Sequence, residues 1–448
     1  MEHKRNRFGN WLRNSITARM LVVGFLLLIL LIPLEFVKSL IYERASRQTE
    51  VVREINSKWG NEVVLSGPVL KIPYKTVKEE KIFDEKSKTY QTRTETILKT
   101  AYLLPDQLSI ASDVDYLERN RTIYKSVVFT ANNKITGQFP KIDFSKKDIK
   151  PTAILWDKIT LQIQTSNLKG IRNSLAVQLG DASLNMSPKY DQSYLNSIES
   201  DYIEGITATN NSGLSFAFDI KINGSESLKF VPLGKETSVS MDSNWHSPSF
   251  DGSPLPNEET KEISKDGFHA DWDAFQINRQ FQQTFFGNMP DLSTFAFGTN
   301  FIVPVDEYKK SERTAKYGFM VIGLTLLVFL LIQLVSKIYI HPFQYVMIGL
   351  ALVMFYTLLI SISEHSSFLK AYAIAGGSVL ALVTIYSRAI LKGFKFPLLI
   401  GVSLASLYGF IYVIIQLENY ALLVGSIGLF VILAIIMFAS RKIDWGNE

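Results

Sequence analysis

The side chains best suited to chemistry are concentrated in two short stretches, residues 243–252 and 267–272. Aromatic rings stack on flat ligands such as sugar rings, while histidine and aspartate side chains form hydrogen bonds. This combination predicts a surface for a ligand or partner, formed by Trp245, His246, Phe250, Asp251, Phe268, His269 and Trp272. The general preference of aromatic residues for the core favours a structural interpretation, in which the four aromatic side chains fill the edge of a β-sandwich core.

Catalytic and metal chemistry have weaker support. His246 and His269 have no third ligand at a spacing that would indicate a zinc site. Ser247 and Ser249 lie near His246, but no Gly-x-Ser-x-Gly, phosphate-binding glycine loop or His-Glu-x-x-His motif is present. The chain contains no cysteine, which excludes a thiolate nucleophile. We therefore expect a protein without catalytic activity, metal or cofactor, and keep an envelope hydrolase as an alternative.

The elements that must position these residues begin with the last third of the chain. Each of its five apolar runs has about 20 residues, which as a helix crosses a hydrocarbon core of about 30 Å. A further apolar run near the N-terminus, continued to residue 41, lacks a cleavage site and predicts an uncleaved anchor. The predicted spans are residues 20–41, 317–336, 343–363, 369–391, 396–416 and 420–440.

Charges beside these spans predict the orientation. Basic residues precede the first span and recur in alternate short loops, so the positive-inside rule places them in the cytoplasm. Both termini are then cytoplasmic, and residues 42–316 lie outside. The basic positions are Lys4, Arg5, Arg7, Arg13, Arg19, Lys337, Arg388, Lys392, Lys395, Arg441 and Lys442.

The segment between the first and second spans has the pattern of a β-rich domain. Residues 42–58 predict a helical stalk, and short strands then recur at intervals of roughly ten residues, as in sandwiches and barrels. Within this series we expect turns at Gly67-Pro68 and Asn132-Asn133, a charged hairpin over 75–99, a helix over 274–286 and a last strand over 301–305.

The predicted fold class is therefore a membrane α-helical protein, with one anchor helix and a bundle of five, plus a large sandwich-like extracytoplasmic domain. Its predicted domains are a basic N-terminus 1–19, an anchor 20–41, a periplasmic domain 42–316, a helix bundle 317–440 and a tail 441–448.

Transport through the bundle is a second alternative. An ion or solute path needs polar groups deep in the membrane, and only Gln333, Ser361, Ser403 and Ser406 approach that depth. The net charge of +5 is dispersed along the chain, which argues against nucleic acid. The expected partners are membrane lipid and an envelope component or another membrane protein.

Spaced motifs along nearly the whole chain resemble the CreD family of bacterial inner-membrane proteins. The charged hairpin and residues 446–448 match less closely. The motifs that carry the resemblance lie at residues 67–73, 243–250, 267–272, 313–317, 341–345, 349–356, 363–365 and 443–445.

The resemblance implies a role in cell-envelope integrity, in some bacteria under a two-component stress system that also affects the β-lactam response. It implies no established enzymatic activity, so no catalytic residue can be carried over. Binding through the outer domain is the function that we expect.

Overall fold

A computed structural model describes residues 15–84, 89–190, 195–211, 213–301, 307–391, 393–417 and 420–441. Most of the predicted N-terminal segment 1–19, the tail after 441, and the predicted strand 301–305 beyond Phe301 lie outside the described residues. Lys392 and Lys442, used to predict orientation, lie outside them too. Contacts divide the chain into two units, which we describe separately. They are a β unit, Val51–Pro304, and a helical unit, Met1–Glu50 with Val305–Glu448.

Seven α-helices are present among the described residues. Six of them are long and apolar enough to cross a membrane, which confirms the prediction of one N-terminal and five C-terminal spans; the exception is the short helix α2. The helices are α1 (Ile16–Trp59), α2 (Glu307–Lys316), α3 (Gly318–Ser336), α4 (Pro342–Ser363), α5 (Phe368–Ile390), α6 (Lys395–Gln416) and α7 (Ala421–Ser440).

Glycines allow the helices of the helical unit to approach one another closely. A Cβ at Gly318 of α3 would lie only 2.7 Å from a methyl carbon of Leu34 in α1. A Cβ at Gly349 of α4 would likewise overlap the methyl carbons of Leu30 in α1. Since lipid offers apolar side chains no net gain from clustering, such close van der Waals packing is what associates helices in a membrane.

The short helix α2 is joined to the turn between α4 and α5. Glu307 accepts a hydrogen bond from the backbone N–H of Phe368 at 3.0 Å, and the Tyr308 hydroxyl donates to Glu364 at 3.2 Å. The Lys310 ammonium lies 5.7 Å from the centre of the Phe368 ring. A carboxylate at this position satisfies one of the free N–H groups at the start of α5 and favours its helix dipole.

Sixteen strands form the β unit within the described chain. They are β1 (Val63–Asp84), β2 (Thr89–Leu103), β3 (Gln107–Arg121), β4 (Tyr124–Gln138), β5 (Thr160–Thr165), β6 (Ala176–Leu179), β7 (Ala182–Lys189), β8 (Asn196–Ser200), β9 (Ser215–Ser225), β10 (Ser227–Phe230), β11 (Glu236–Ser243), β12 (Pro248–Asp251), β13 (Glu262–Ile263), β14 (Phe268–Phe275), β15 (Thr284–Phe286) and β16 (Phe297–Phe301).

The strands form two sheets that share β7. The first sheet has the order β12-β16-β10-β1-β5-β8-β7, with β2 also paired to β1 and β15 paired to β2. The second has the order β7-β6-β9-β4-β3-β11-β14-β13. Most neighbours are antiparallel, while β1 with β10 and β3 with β11 are parallel. One apolar cluster contains buried residues from both sheets, so the predicted β-rich, sandwich-like class is confirmed.

The structure contradicts the turn predicted at Asn132-Asn133. Strand β4 continues through both residues, which pair with β3 on one side and β9 on the other. The buried Asn133 amide accepts a hydrogen bond from Ser112 Oγ at 2.8 Å and donates to the Ile220 carbonyl at 3.2 Å. Because its polar atoms are paired, this residue is accommodated inside the sheet rather than in a turn.

Two further local predictions were wrong. The pair Gly67-Pro68 does not end a strand but lies within β1, where the register with β5 shifts in the manner of a β-bulge. Residues 274–286 contain the end of β14, one 3₁₀ turn and β15 instead of a helix. Here Arg279 donates to the carbonyl of Leu233 at 2.6 Å, a long-range contact that local helical propensity does not include.

The charged hairpin is confirmed. Strands β1 and β2 pair continuously from Lys75 with Leu98 to Asp84 with Thr89.

Candidate functional site

The aromatic residues of the predicted surface mostly belong to the core. Trp245, Phe268 and Trp272 are buried, and Phe250 is half-buried. The Phe250 ring, on β12 of the first sheet, lies 5.6 Å from Trp272 and 5.7 Å from Phe268, both on β14 of the second sheet. Trp272 also contacts Phe297 of β16 at 6.1 Å. The rings of Phe250, Phe268 and Trp272 therefore join the two sheets. The structural interpretation applies fully to the three buried residues Trp245, Phe268 and Trp272, whereas Phe250 is still partly accessible.

Trp245 is fixed separately, beyond the end of β11. Its indole Nε1 donates to the Ser247 carbonyl at 2.8 Å, and its ring lies edge-on to Tyr116 at 5.0 Å. His246 is exposed, with its ring 5.0 Å from that of Trp245. His246 is therefore accessible from solvent, whereas the neighbouring Trp245 is buried.

Asp251 lies on the first sheet in an ion-pair network. Its carboxylate is 2.8 Å from the Lys229 ammonium, which is also 3.1 Å from Glu62. The hydrogen bond from Lys229 lowers the pKa of Asp251 below its usual value. Burial opposes the charge of Lys229, but its bonds to Asp251 and Glu62 outweigh that effect and raise its pKa. Asp251 and His269 thus lie on different sheets.

His269 lies on β14 between two carboxylates. Its Nδ1 is 2.7 Å from Asp242 and its Nε2 is 3.2 Å from Asp271. Carboxylates only accept hydrogen bonds, so both contacts are satisfied together only by the protonated ring, which donates from both nitrogens. The bond to Asp242 accordingly raises the pKa of His269, with a smaller contribution from Asp271, although burial acts in the opposite direction.

This arrangement determines what His269 can do chemically. A general base or a metal ligand needs a free lone pair on a ring nitrogen, and both nitrogens are engaged as donors. Among the described residues, no group of three or more histidine, aspartate and glutamate side chains is placed to hold a metal ion. The geometry favours a fixed positive charge that orients Asp242 and Asp271.

A cleft of about 500 Å³, lined mainly by polar residues, lies beside this histidine on the second sheet. Strand pairing places one residue from each of five neighbouring strands in a row: His269, Asp242, Asp113, Asn132 and Lys221. The lining of the cleft contains four of these, all but His269, and comprises Ala111, Ser112, Asp113, Asn132, Asn133, Lys134, Asn173, Asp219, Ile220, Lys221, Ser240 and Asp242. We call this cavity the sheet cleft.

The sheet cleft continues into a second cavity of about 420 Å³, which shares Lys134, Asn173 and Asp219 with it. Asn173 forms part of both walls because its side chain accepts from the Lys221 N–H at 2.9 Å and donates to the Asp219 carbonyl at 2.9 Å. Those two bonds satisfy the backbone of β9 between Ile222, which bridges to Ile171, and Ala217, which pairs with β6. Hydrogen bonds to the backbone of β9 therefore fix the position of Asn173 in the wall of both cavities.

Sequence reasoning missed the residues of the sheet cleft. Of the predicted residues, His269 alone belongs to its row, and Asp113, Asn132, Lys134, Asp219 and Lys221 were not singled out. The available signal was alternation, since exposed and buried positions alternate along β3. Alternation identifies the solvent face of a strand, but it does not reveal which strands are neighbours.

Comparison with known proteins agrees with the motifs. The family model described as "Inner membrane protein CreD" matches residues 15–446. The chain belongs to the CreD family. It is 30% identical over 422 residues to the Inner membrane protein CreD of Escherichia coli (strain K12), covering 93% of this chain and 91% of that protein.

Membership in the CreD family confirms the resemblance found in the spaced motifs. Together with six apolar helices among the described residues, it makes this chain a multi-pass inner-membrane protein.

Proposed function

We propose that this protein supports the integrity of the bacterial cell envelope by binding, without catalysis, an envelope component or a partner protein through its β unit. In this proposal both termini are cytoplasmic and residues 42–316 are periplasmic. Lipid surrounds the helices, and the accessible parts of His246, Phe250, Asp251 and His269 belong to the binding surface.

The observation that carries this proposal is the placement of His269 between two carboxylates. Both of its ring nitrogens are bound to carboxylates, at 2.7 and 3.2 Å, beside an exposed cleft. A histidine in this state positions charges for recognition and offers no lone pair for proton abstraction. The β unit therefore resembles a binding module more than an enzyme, which supports a non-catalytic role.

Photo-crosslinking in living cells tests this function. A photoreactive amino acid at His246 or Phe250 samples the exposed part of the predicted surface, and we expect a discrete adduct with an envelope polymer, lipid or protein. The matched control is a probe at Tyr202, an exposed aromatic residue elsewhere in the β unit. Adducts of the same pattern and yield from all three sites, or none from His246 and Phe250, would refute specific binding there.

The envelope hydrolase alternative makes a different prediction. It requires His246→Ala or His269→Ala to abolish complementation of a deletion strain while the crosslinked adduct is still formed. Under our proposal, loss of complementation and loss of the adduct occur together.

Transport through the helical unit has no comparable support. One described cavity there, lined by Arg19, Gln333 and Tyr345 among others, has a volume of about 20 Å³. That is room for about one water molecule.

A further inference from the structure

We infer that the sheet cleft binds a polyhydroxylated, uncharged chain, such as a glycan strand, laid across the strands of the second sheet. This inference deepens the proposed function by naming the chemistry of the ligand and the residues that hold it.

The part of a ligand that the sheet cleft can recognise depends on which of its hydrogen-bonding groups are free. The strands β3, β4 and β11 each pair with a neighbour on both sides over the residues of the cleft. Their backbone N–H and C=O groups are therefore already used, so an extended peptide could not be added as another strand. Recognition must come from side chains that project from the face of the sheet.

The side chains that line the sheet cleft carry charges of both signs. The exposed side chains include three carboxylates, Asp113, Asp219 and Asp242, and two ammonium groups, Lys134 and Lys221. A polyanion would meet the carboxylates and a polycation would meet the lysines, so mixed charge on adjacent strands disfavours both. An uncharged ligand avoids either repulsion.

The side chains of the sheet cleft include both hydrogen-bond donors and hydrogen-bond acceptors. Carboxylates accept, ammonium groups donate, and the amide of Asn132 does both. A hydroxyl group also both donates and accepts, so a chain rich in hydroxyls can satisfy all three kinds of side chain. Within the described part of the chain, Asp113, Lys134, Asp219 and Lys221 form no ion pair with one another, which leaves these groups available.

The shape of the sheet cleft suits an extended ligand. Ala111 and Ser240 are neighbours in the row adjacent to that of Asp113, and their short side chains leave room between the longer ones. The cleft crosses four strands, which at the usual strand spacing spans roughly 14 Å. This extent suits several units of a linear polymer rather than one small molecule.

Binding of soluble chitin oligosaccharides to the purified full-length protein in detergent tests the inference. Ala111→Tyr fills the cleft at an exposed strand position where tyrosine is well tolerated, and we expect it to abolish binding. Gln107→Tyr adds the same ring on the same strand, outside the lining residues, and should leave affinity unchanged. Asn132→Ala removes one amide and should weaken binding roughly threefold to tenfold.

Four results would overturn the inference. They are no oligosaccharide binding by the parent protein, equal binding by Ala111→Tyr and the parent, full affinity in the folded Asn132→Ala variant, and preferential binding of dextran sulfate or polylysine. Melting temperatures of each variant identify any that fail to fold, and Asn132→Ala then replaces Ala111→Tyr as the deciding variant. Crosslinking from His246 or Phe250 to an envelope protein, without oligosaccharide binding, would refute the glycan ligand while leaving the proposed function intact.

Discussion

At the scale of single residues, His269 couples the stability of the β unit to pH. Its pKa is raised by the bond to Asp242, with Asp271 contributing less, so the folded state favours the protonated ring. That stabilisation is complete below the unfolded pKa of about 6.5 and is lost as the pH rises through the higher folded pKa. Protonation of His269 therefore stabilises the fold most on the acidic side of neutrality.

We expect the melting temperature of the parent to exceed that of His269→Gln by more at about pH 6 than at about pH 9. Thermal unfolding of the full-length protein, followed by tryptophan fluorescence, measures this difference. His246→Gln is the control, since His246 is exposed and pairs with no carboxylate among the described residues. A gap that is constant or grows with pH would contradict the assigned protonation state.

Trp272 of the second sheet contacts two aromatic rings of the first sheet. Trp272 is only 1% exposed and contacts Phe250 and Phe297, so Trp272→Ala leaves a large cavity and should cost about 3–5 kcal/mol of unfolding free energy. Phe275→Ala, on the same strand but 49% exposed, should cost much less. Similar losses for both variants in denaturant unfolding would show that Trp272 is not part of the core.

At the scale of elements, the continuity of β4 depends on paired polar groups inside the sheet. Asn133→Ala leaves the Ser112 hydroxyl and the Ile220 carbonyl without their partner and should cost about 1–3 kcal/mol. The double variant Asn133→Ala with Ser112→Ala replaces both side chains by apolar groups. It should be less destabilised than the sum of the two single substitutions.

A double-substitution cycle measured by denaturant unfolding tests this coupling. Asn132→Ala with Ser109→Ala is the control, because both residues are exposed on the solvent face of the same two strands. Strict additivity at Asn133 and Ser112 would exclude the buried pair as the reason that β4 does not turn.

At the scale of the whole molecule, the absence of cysteine makes orientation directly measurable. We expect a membrane-impermeant maleimide to label Asp181→Cys, in an exposed turn of the β unit, in intact spheroplasts. Lys395→Cys, at the start of α6, should react only after the membrane is permeabilised. The reverse pattern would contradict the charge-based orientation and place the sheet cleft in the cytoplasm.

Sequence by itself determined the six apolar helices, the β-rich region between them and the family. The helices and strands depend on local quantities, namely run length and alternation, which a short window of the chain contains. The family depends on the order and spacing of motifs along the chain, which the sequence also contains in full. The hairpin of β1 and β2 was predictable for the same reason, since its partners are adjacent in the chain.

Only the tertiary structure decided which residues form the candidate site. His269, Asp242, Asp113, Asn132 and Lys221 come from five strands spread over more than 150 residues of the sequence, and their alignment depends on strand order and register. The sequence favoured burial of the aromatic residues but did not decide which of them are buried, because an aromatic residue suits a core as well as a binding surface. The packing of two sheets against each other assigned Trp245, Phe268 and Trp272 to the core, and left a polar face exposed beside His269.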